Sequence, residues 1–318
     1  MRILVTGGAG FIGFYLAKKL SEKDEVVVVD NLSDYYDVKL KEARLEQIKD
    51  RVEFHKIDIS DLSSLKKIFE KYEFDLICHI AAQAGVRYSL INPWIYEKSN
   101  ILGTLNIFEL TKKFNIKKVI YASSSSVYGG NKKVPFSEED KVDKPISLYA
   151  ATKIDNELMA HTYHYLYKID MIGLRYFTVY GPFGRPDMAM FKFTKNIFED
   201  KPIEVYNFGN MKRDFTYIDD IIDGTIKAIN FCLNNNDICE IINLGNSKPI
   251  ELNYFIKLLE KEIGKEAKKN LLSLQPGDVL ETYADITKAK KILGWEPKTE
   301  IEEGVKKFVE WYRDYYGK

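Results

Sequence analysis

An α/β fold, a doubly wound parallel sheet followed by a smaller mixed α/β domain, is predicted by three observations. A short apolar run, Ile3-Leu4-Val5, enters a glycine turn, Thr6-Gly7-Gly8-Ala9-Gly10-Phe11-Ile12-Gly13, and a helical pattern follows from Tyr15 to Leu20. A second apolar run, Val26 to Val29, reads as a buried parallel strand and ends on Asp30. Strand-like and helical runs then alternate as far as residue 175, the order that places helices on both faces of a parallel sheet.

The bulk composition narrows the field. With 318 residues the chain buries a sizeable core, and Lys+Arg and Asp+Glu both total 47. No net basic field exists to hold nucleic acid or an anionic membrane surface. Cys78, Cys232 and Cys239 are too few and too scattered for a disulfide framework or a zinc site, so reduced thiols and no metal are expected. Met1-Arg2 runs straight into the first strand pattern, which points to a soluble, unexported, cytoplasmic protein.

In the first unit, Gly7 permits a tight turn, Gly10 lets backbone approach a pyrophosphate and Gly13 lets helix and strand pack closely. The helix N-terminus then receives the phosphate charge. The spacing is G-x-x-G-x-x-G rather than G-x-G-x-x-G. Asp30 stands about 20 residues on, where an acid accepts the ribose 2'-hydroxyl and repels a 2'-phosphate, so the cofactor expected is NAD rather than NADP.

The next elements are a strand over Val52 to Ile57, a helix over Leu62 to Tyr72, a strand over Leu76 to Ile80, a long helix from Pro93 to Phe114 and a strand over Val119 to Ala122. Asp58 follows the third strand and either faces an adenine or caps the helix after Asp61. Ala81-Ala82-Gln83-Ala84-Gly85 follows the fourth strand with small residues that leave room for a cofactor or form a plain loop.

The fifth strand delivers Ser123 to Ser126, and Tyr149-Ala150-Ala151-Thr152-Lys153 follows. Tyrosine and lysine at this spacing share one helix face, so the ammonium can lower the phenol pKa and make a base. The spacing recurs at Tyr15/Lys19, Tyr35/Lys39 and Tyr128/Lys132. Only Tyr149/Lys153 both follows a central strand, where ligands bind in such sheets, and opens a fresh helix.

A sixth strand over Ile169 to Leu174 is followed by an aromatic, turn-rich segment, Arg175 to Pro186, suited to a pocket wall. Mixed elements come next: Met188 to Phe198, Ile203 to Tyr206, Ile218 to Leu233, Ile241 to Leu244, Leu252 to Ile263 and Ile301 to Tyr315. The boundary expected is a cofactor domain over 1–175 and a substrate domain over 176–318, interleaved with returns to the sheet.

Five segments, Asp30 to Val38, Ala81 to Ser89, Tyr149 to Ala160, Phe177 to Met188 and Met211 to Asp220, together resemble the extended short-chain dehydrogenase/reductase family of nucleotide-sugar epimerases and dehydratases. The resemblance covers essentially the whole chain and implies a Rossmann-type sheet. By position, it implies that Ser124 pairs with Tyr149, while Lys153 holds the nicotinamide ribose and lowers the Tyr149 pKa. It implies an NAD site lined by Gly7, Gly10, Phe11, Ile12, Gly13, Asp30, Asn31, Asp58, Ile59, Ala81, Ala82, Gln83, Asn100 and Lys153. Arg213 should meet the diphosphate of a UDP-sugar, with Tyr206 in the same region and Asp278 on the uridine ribose. Gln275 stands where relatives often have arginine. A homodimer formed by the helices near 93–114 and 148–167 is implied as well.

The expected reaction is C4 epimerisation of a UDP-hexuronate through a transient 4-keto sugar with bound NAD. Related dehydratases carry a carboxyl pair just before Val127-Tyr128-Gly129; here those places hold Ser125 and Ser126. Both serines, Thr178 and the planar fork of Arg185 are good donors to a sugar carboxylate. Arg185 also fits a surface salt bridge, Thr178 plain packing, and Arg87 either the sugar acid or a loop contact. A UDP-glucuronate decarboxylase, an epimerase of neutral or N-acetylated sugars, and a non-catalytic NAD-binding regulator remain as alternatives.

Overall fold

The computed structural model describes residues 1–274 and 279–318. Strands β1 (Arg2–Thr6), β2 (Glu25–Asp30), β3 (Val52–Lys56), β4 (Leu76–His79), β5 (Lys118–Ser124) and β6 (Asp170–Tyr176) alternate with helices α1 (Phe11–Leu20), α2 (Val38–Glu46), α3 (Leu62–Lys71), α4 (Tyr88–Ile91), α5 (Trp94–Tyr96), α6 (Gly103–Lys113) and α7 (Leu148–Tyr167). After them come β7 (Thr178–Tyr180), α8 (Ala189–Phe198), β8 (Ile203–Tyr206), β9 (Lys212–Tyr217), α9 (Ile218–Asn234) and β10 (Cys239–Leu244). The seven-stranded sheet runs β10-β6-β5-β4-β1-β2-β3 and every pairing in it is parallel.

Strands β1, β2 and β4 are apolar on both faces because both are covered. Ile3, Val5, Val26 and Val28 pack into one buried cluster, while Leu4, Val27, Val29 and Ile77 pack into another. Successive side chains of a strand point to opposite faces, so one apolar run supplies both layers. Strand order reverses between β1 and β4, and the crevice outside the carboxyl ends of those strands is where this architecture binds ligands.

The later segments do return to the sheet, since β10 pairs with β6 from Cys239↔Met171 to Leu244↔Tyr176. Away from it, β9 pairs with β7, with Pro249–Glu251 and with Glu281–Thr282. Asp214, in β9 beside Arg213, ties these pieces together. Its buried carboxylate accepts from the N–H groups of Asn246 (2.6 Å), Ser247 (3.0 Å) and Ala284 (2.9 Å).

One predicted element differs. The segment 93–114 is not a continuous α-helix: a widened π-type turn over Glu97–Leu102 separates α5 from α6. Such turns insert a residue into the helical ladder and re-aim side chains. Here the widened turn carries Asn100 inward, where it is fully buried.

Candidate active site

One open cavity of about 460 Å³ runs along the carboxyl ends of the central strands. At its first end the glycine turn is shaped by close backbone approach. Gly7 takes a positive φ of 73° and donates its N–H to Val29 O at 2.7 Å. A Cβ at Gly13 would stand 2.2 Å from Gly7 O, and one at Gly10 would stand 2.9 Å from it, so both positions exclude larger residues. The turn leads straight into α1, whose first N–H groups have no helical partner and are free to meet an anion. Asp30 accepts from Ala9 N (3.1 Å) and Leu32 N (2.8 Å), which binds the end of β2 to the turn.

Gly7, Gly10, Phe11, Ile12, Gly13, Asp30, Asn31, Asp58, Ile59, Ala81, Ala82, Gln83 and Lys153 all line this cavity. A backbone cradle at a helix start with an acid at the end of β2 fits a dinucleotide. Asp58 does not cap α3; Asp61 does, accepting from Ser63 N and Ser64 N. Asp58 instead accepts from Ser60 N (2.9 Å) and Ser60 Oγ (2.7 Å). Asn100 is not among the residues that line the cavity. Its amide braces the loop behind the wall: Oδ1 accepts from Gln83 N (2.8 Å), and Nδ2 donates to Gln83 O (3.0 Å) and Thr152 Oγ1 (3.0 Å).

At the middle of the cavity stand Ser124, Tyr149 and Lys153. Ser124 ends β5, and its Oγ accepts from Ser126 N at 3.2 Å. Helix α7 begins just before Tyr149 because Ser147 Oγ accepts from Ala150 N at 3.1 Å, an N-cap that fixes the entry of the chain. Lys153 lies one turn on, buried, and donates to Ala122 O at 2.8 Å. The competing tyrosines have other partners: Tyr15 donates to Pro182 O, Tyr35 to Asp187 and Tyr128 to Asn243.

Burial raises the Tyr149 pKa above its ordinary value, and Asp187 adds to the rise. The influences that oppose the rise come from Ser124, through a hydrogen bond, and from the Arg185 guanidinium. Burial lowers Lys153 itself to about 8, with Glu157 opposing the change.

At the far end Ser125, Ser126, Thr178, Arg185 and Arg213 line the cavity. Arg185 donates from Nε to Asp187 Oδ1 (3.0 Å) and from Nη2 to Asp187 Oδ2 (2.5 Å). Arg87 and Tyr206 are outside the lining and meet each other instead, the Arg87 guanidinium 4.3 Å from the centre of the Tyr206 ring. Gln275 and Asp278 lie outside the described residues. Among the described residues, the acidic groups lining the cavity are Asp30 and Asp58, both at the glycine-turn end.

Several contributors were not singled out in the sequence. Glu157, one turn beyond Lys153, forms a buried bidentate pair with Arg175 (2.9 and 2.8 Å) and accepts from Ser123 Oγ (2.5 Å). Its spacing from Lys153 on the same helix face was the available signal. Arg44, fully buried in α2, donates to Ala9 O, Phe183 O and Gly184 O. Basic residues on the inward stripe of α2, Lys41 and Arg44, were the hint there.

The glycine turn, the parallel sheet and the serine–tyrosine–lysine cluster together define an extended short-chain dehydrogenase/reductase. Within that class the chain belongs to the family described as GDP-mannose 4,6 dehydratase, whose model matches residues 4–308. It is 60% identical, over 98% of its own length and 95% of the relative's, to an uncharacterized protein of Methanocaldococcus jannaschii. It is 51% identical to the UDP-glucuronate 4-epimerase of Thermodesulfobacterium geofontis, covering 98% of this chain and 96% of that one. The solved UDP-glucuronic acid 4-epimerase of Bacillus cereus, in complex with UDP-glucuronic acid and NAD, superposes with a TM-score of 0.93 at 37% identity, over 99% of this chain and 100% of that one.

Proposed function

We propose that this protein is an NAD-dependent UDP-glucuronate 4-epimerase, interconverting UDP-glucuronate and UDP-galacturonate. The observation that carries the reading is the shared cavity: Arg185, Thr178, Ser125 and Ser126, all suited to a carboxylate, line the same cavity as Ser124, Tyr149 and Lys153. The Thermodesulfobacterium geofontis relative and the solved Bacillus cereus structure named above support the same substrate. In this reading residues 1–175 carry NAD and residues 176–318 the UDP-sugar, with β10 returning to the sheet. The enzyme acts in the cytoplasm as a homodimer, a reading supported by the exposed apolar side chains of Leu158, Tyr165 and Leu166 on α7.

The glycine turn and the start of α1 hold the cofactor diphosphate, Asp30 its ribose, and Lys153 the nicotinamide ribose. When bound, NAD would supply the acceptor and donor for the C4 hydride, and its positive ring would favour the Tyr149 phenolate. The Tyr149 oxygen removes the C4 hydroxyl proton and later gives it back, while Ser124 Oγ donates a hydrogen bond to that oxygen. Arg213 holds the diphosphate about which the sugar turns. A 4-keto uronate is a β-keto acid, which loses carbon dioxide when the C5–C6 bond stands perpendicular to the carbonyl. Ser125, Ser126, Thr178 and Arg185 hold the carboxylate away from that geometry. Dehydration is disfavoured because elimination needs an acid/base pair near C5 and C6, where the described lining offers serines.

Purified protein incubated with UDP-glucuronate and no added NAD, followed by proton NMR, tests the reading. UDP-galacturonate is the expected product. UDP-xylose, or inertness with turnover of UDP-glucose instead, overturns it.

A further inference from the structure

The loop Gly181 to Met188 carries Arg185 to the cavity wall, yet much of what fixes that loop comes from the cofactor half. Tyr15 Oη donates to Pro182 O at 3.0 Å. Arg44 donates to Phe183 O from Nε (3.2 Å) and Nη2 (2.7 Å), and from Nη1 to Ala9 O (2.9 Å) in the glycine turn. Arg185 is clamped by Asp187 through Nε and Nη2, and Tyr35 Oη donates to the same Asp187 Oδ2 at 3.3 Å. Tyr35 and Arg185 line the cavity, whereas Asp187 is not among the lining residues.

A guanidinium has two edges able to meet a carboxylate bidentately. Asp187 occupies the Nε/Nη2 edge, and the Nη1 group with the outer Nη2 hydrogen is what remains for a ligand. Unclamped, so long a side chain is distributed over many rotamers and loses freedom on binding. Tyr35 keeps the clamp in place: burial and Asp187 push its pKa up to about 12, so its hydroxyl stays protonated and donating.

Building on the UDP-hexuronate reading, we infer that Asp187 is a positioning residue for acidic-sugar specificity: braced by Tyr35, it fixes one edge of Arg185 so that the opposite edge is presented to the sugar carboxylate. The aspartate therefore acts through Arg185 and does not touch the substrate. Binding of an acidic sugar depends on it, and binding of the nucleotide and a neutral sugar does not.

The test is calorimetric binding of UDP-glucuronate, UDP-glucose and UDP to the NAD-loaded wild type and to Asp187→Ala and Asp187→Asn. Asp187→Ala is expected to weaken UDP-glucuronate about tenfold or more while UDP and UDP-glucose stay within about twofold. Asp187→Asn, which keeps one acceptor for Arg185, falls between. Unchanged or tighter UDP-glucuronate binding in Asp187→Ala overturns the inference, the latter because it would make Asp187 a competitor rather than a clamp. Equal weakening of all three ligands overturns it too, since that marks general damage to the fold. A wild type that binds UDP-glucuronate no better than UDP-glucose overturns the hexuronate reading itself, so the two failures are distinguishable.

Discussion

The two ends of the cavity are built by different means. At the cofactor end, geometry resides in backbone: Gly7, Gly10 and Gly13 exclude side chains, and the Asp30 carboxylate is held by two backbone N–H groups. At the sugar end, geometry resides in long side chains on an irregular loop, and Arg185 owes its orientation to Asp187 and Tyr35. A backbone cradle tolerates no added atoms. A side-chain site tolerates added volume and fails when its supports are removed.

The largest contrast is expected from Gly13→Ala. The new methyl would stand 2.2 Å from Gly7 O, so the turn must shift, and co-purified NAD is expected to fall to about a tenth of the wild-type content or less. Near-normal NAD content, read by absorbance after denaturation, would mean that the cradle is more pliable than its contacts require.

Lys153→Met sits between the two ends and separates catalysis from folding. Its folded pKa, about 8, lies below the ordinary 10.5. Keeping the buried lysine protonated therefore costs stability at pH 7, and the cost fades as pH rises from about 8 towards 10.5. Turnover should fall by about 100-fold or more. Stability by urea unfolding at pH 7 should rise by up to about 2 kcal/mol, the lost bond to Ala122 offsetting part of the relief, and the gain should be gone near pH 10.5. A loss of stability that does not vary with pH would make this lysine a packing residue.

The smallest effect belongs to Tyr35→Phe, which removes one hydroxyl from behind the clamp. KM for UDP-glucuronate should rise about two- to fivefold with UDP-glucose unaffected. An equal rise for both sugars would show that the phenol supports the cavity in general.

The same contrast explains what could be read from sequence. Local rules suffice at the cofactor end, where glycine spacing, an apolar run and a following acid all fall within one strand–turn–helix unit. Tyr149 was legible because a helix start after a central strand is also a local pattern. Asn100 sits in the π-type turn before α6, and nothing in helical spacing announces that turn. Arg44, Tyr35 and Asp187 act across separations of 152 residues, as between Tyr35 and Asp187, and 139 residues, as between Arg44 and Phe183. Only the folded chain brings such groups together. Helical spacing puts Lys153 on the same face as Tyr149, but it does not disclose that the ammonium is bonded to Ala122 O or that Arg185 opposes the rise in the Tyr149 pKa.

The central claim is that an arginine that reads a carboxylate shares one cavity with a tyrosine base. The most direct test is kcat/KM for UDP-glucuronate relative to UDP-glucose in the wild type and in Arg185→Met. The account predicts a wild-type preference of about 100-fold or more that collapses in the variant, mainly through loss of UDP-glucuronate turnover. A preference that survives Arg185→Met would contradict it.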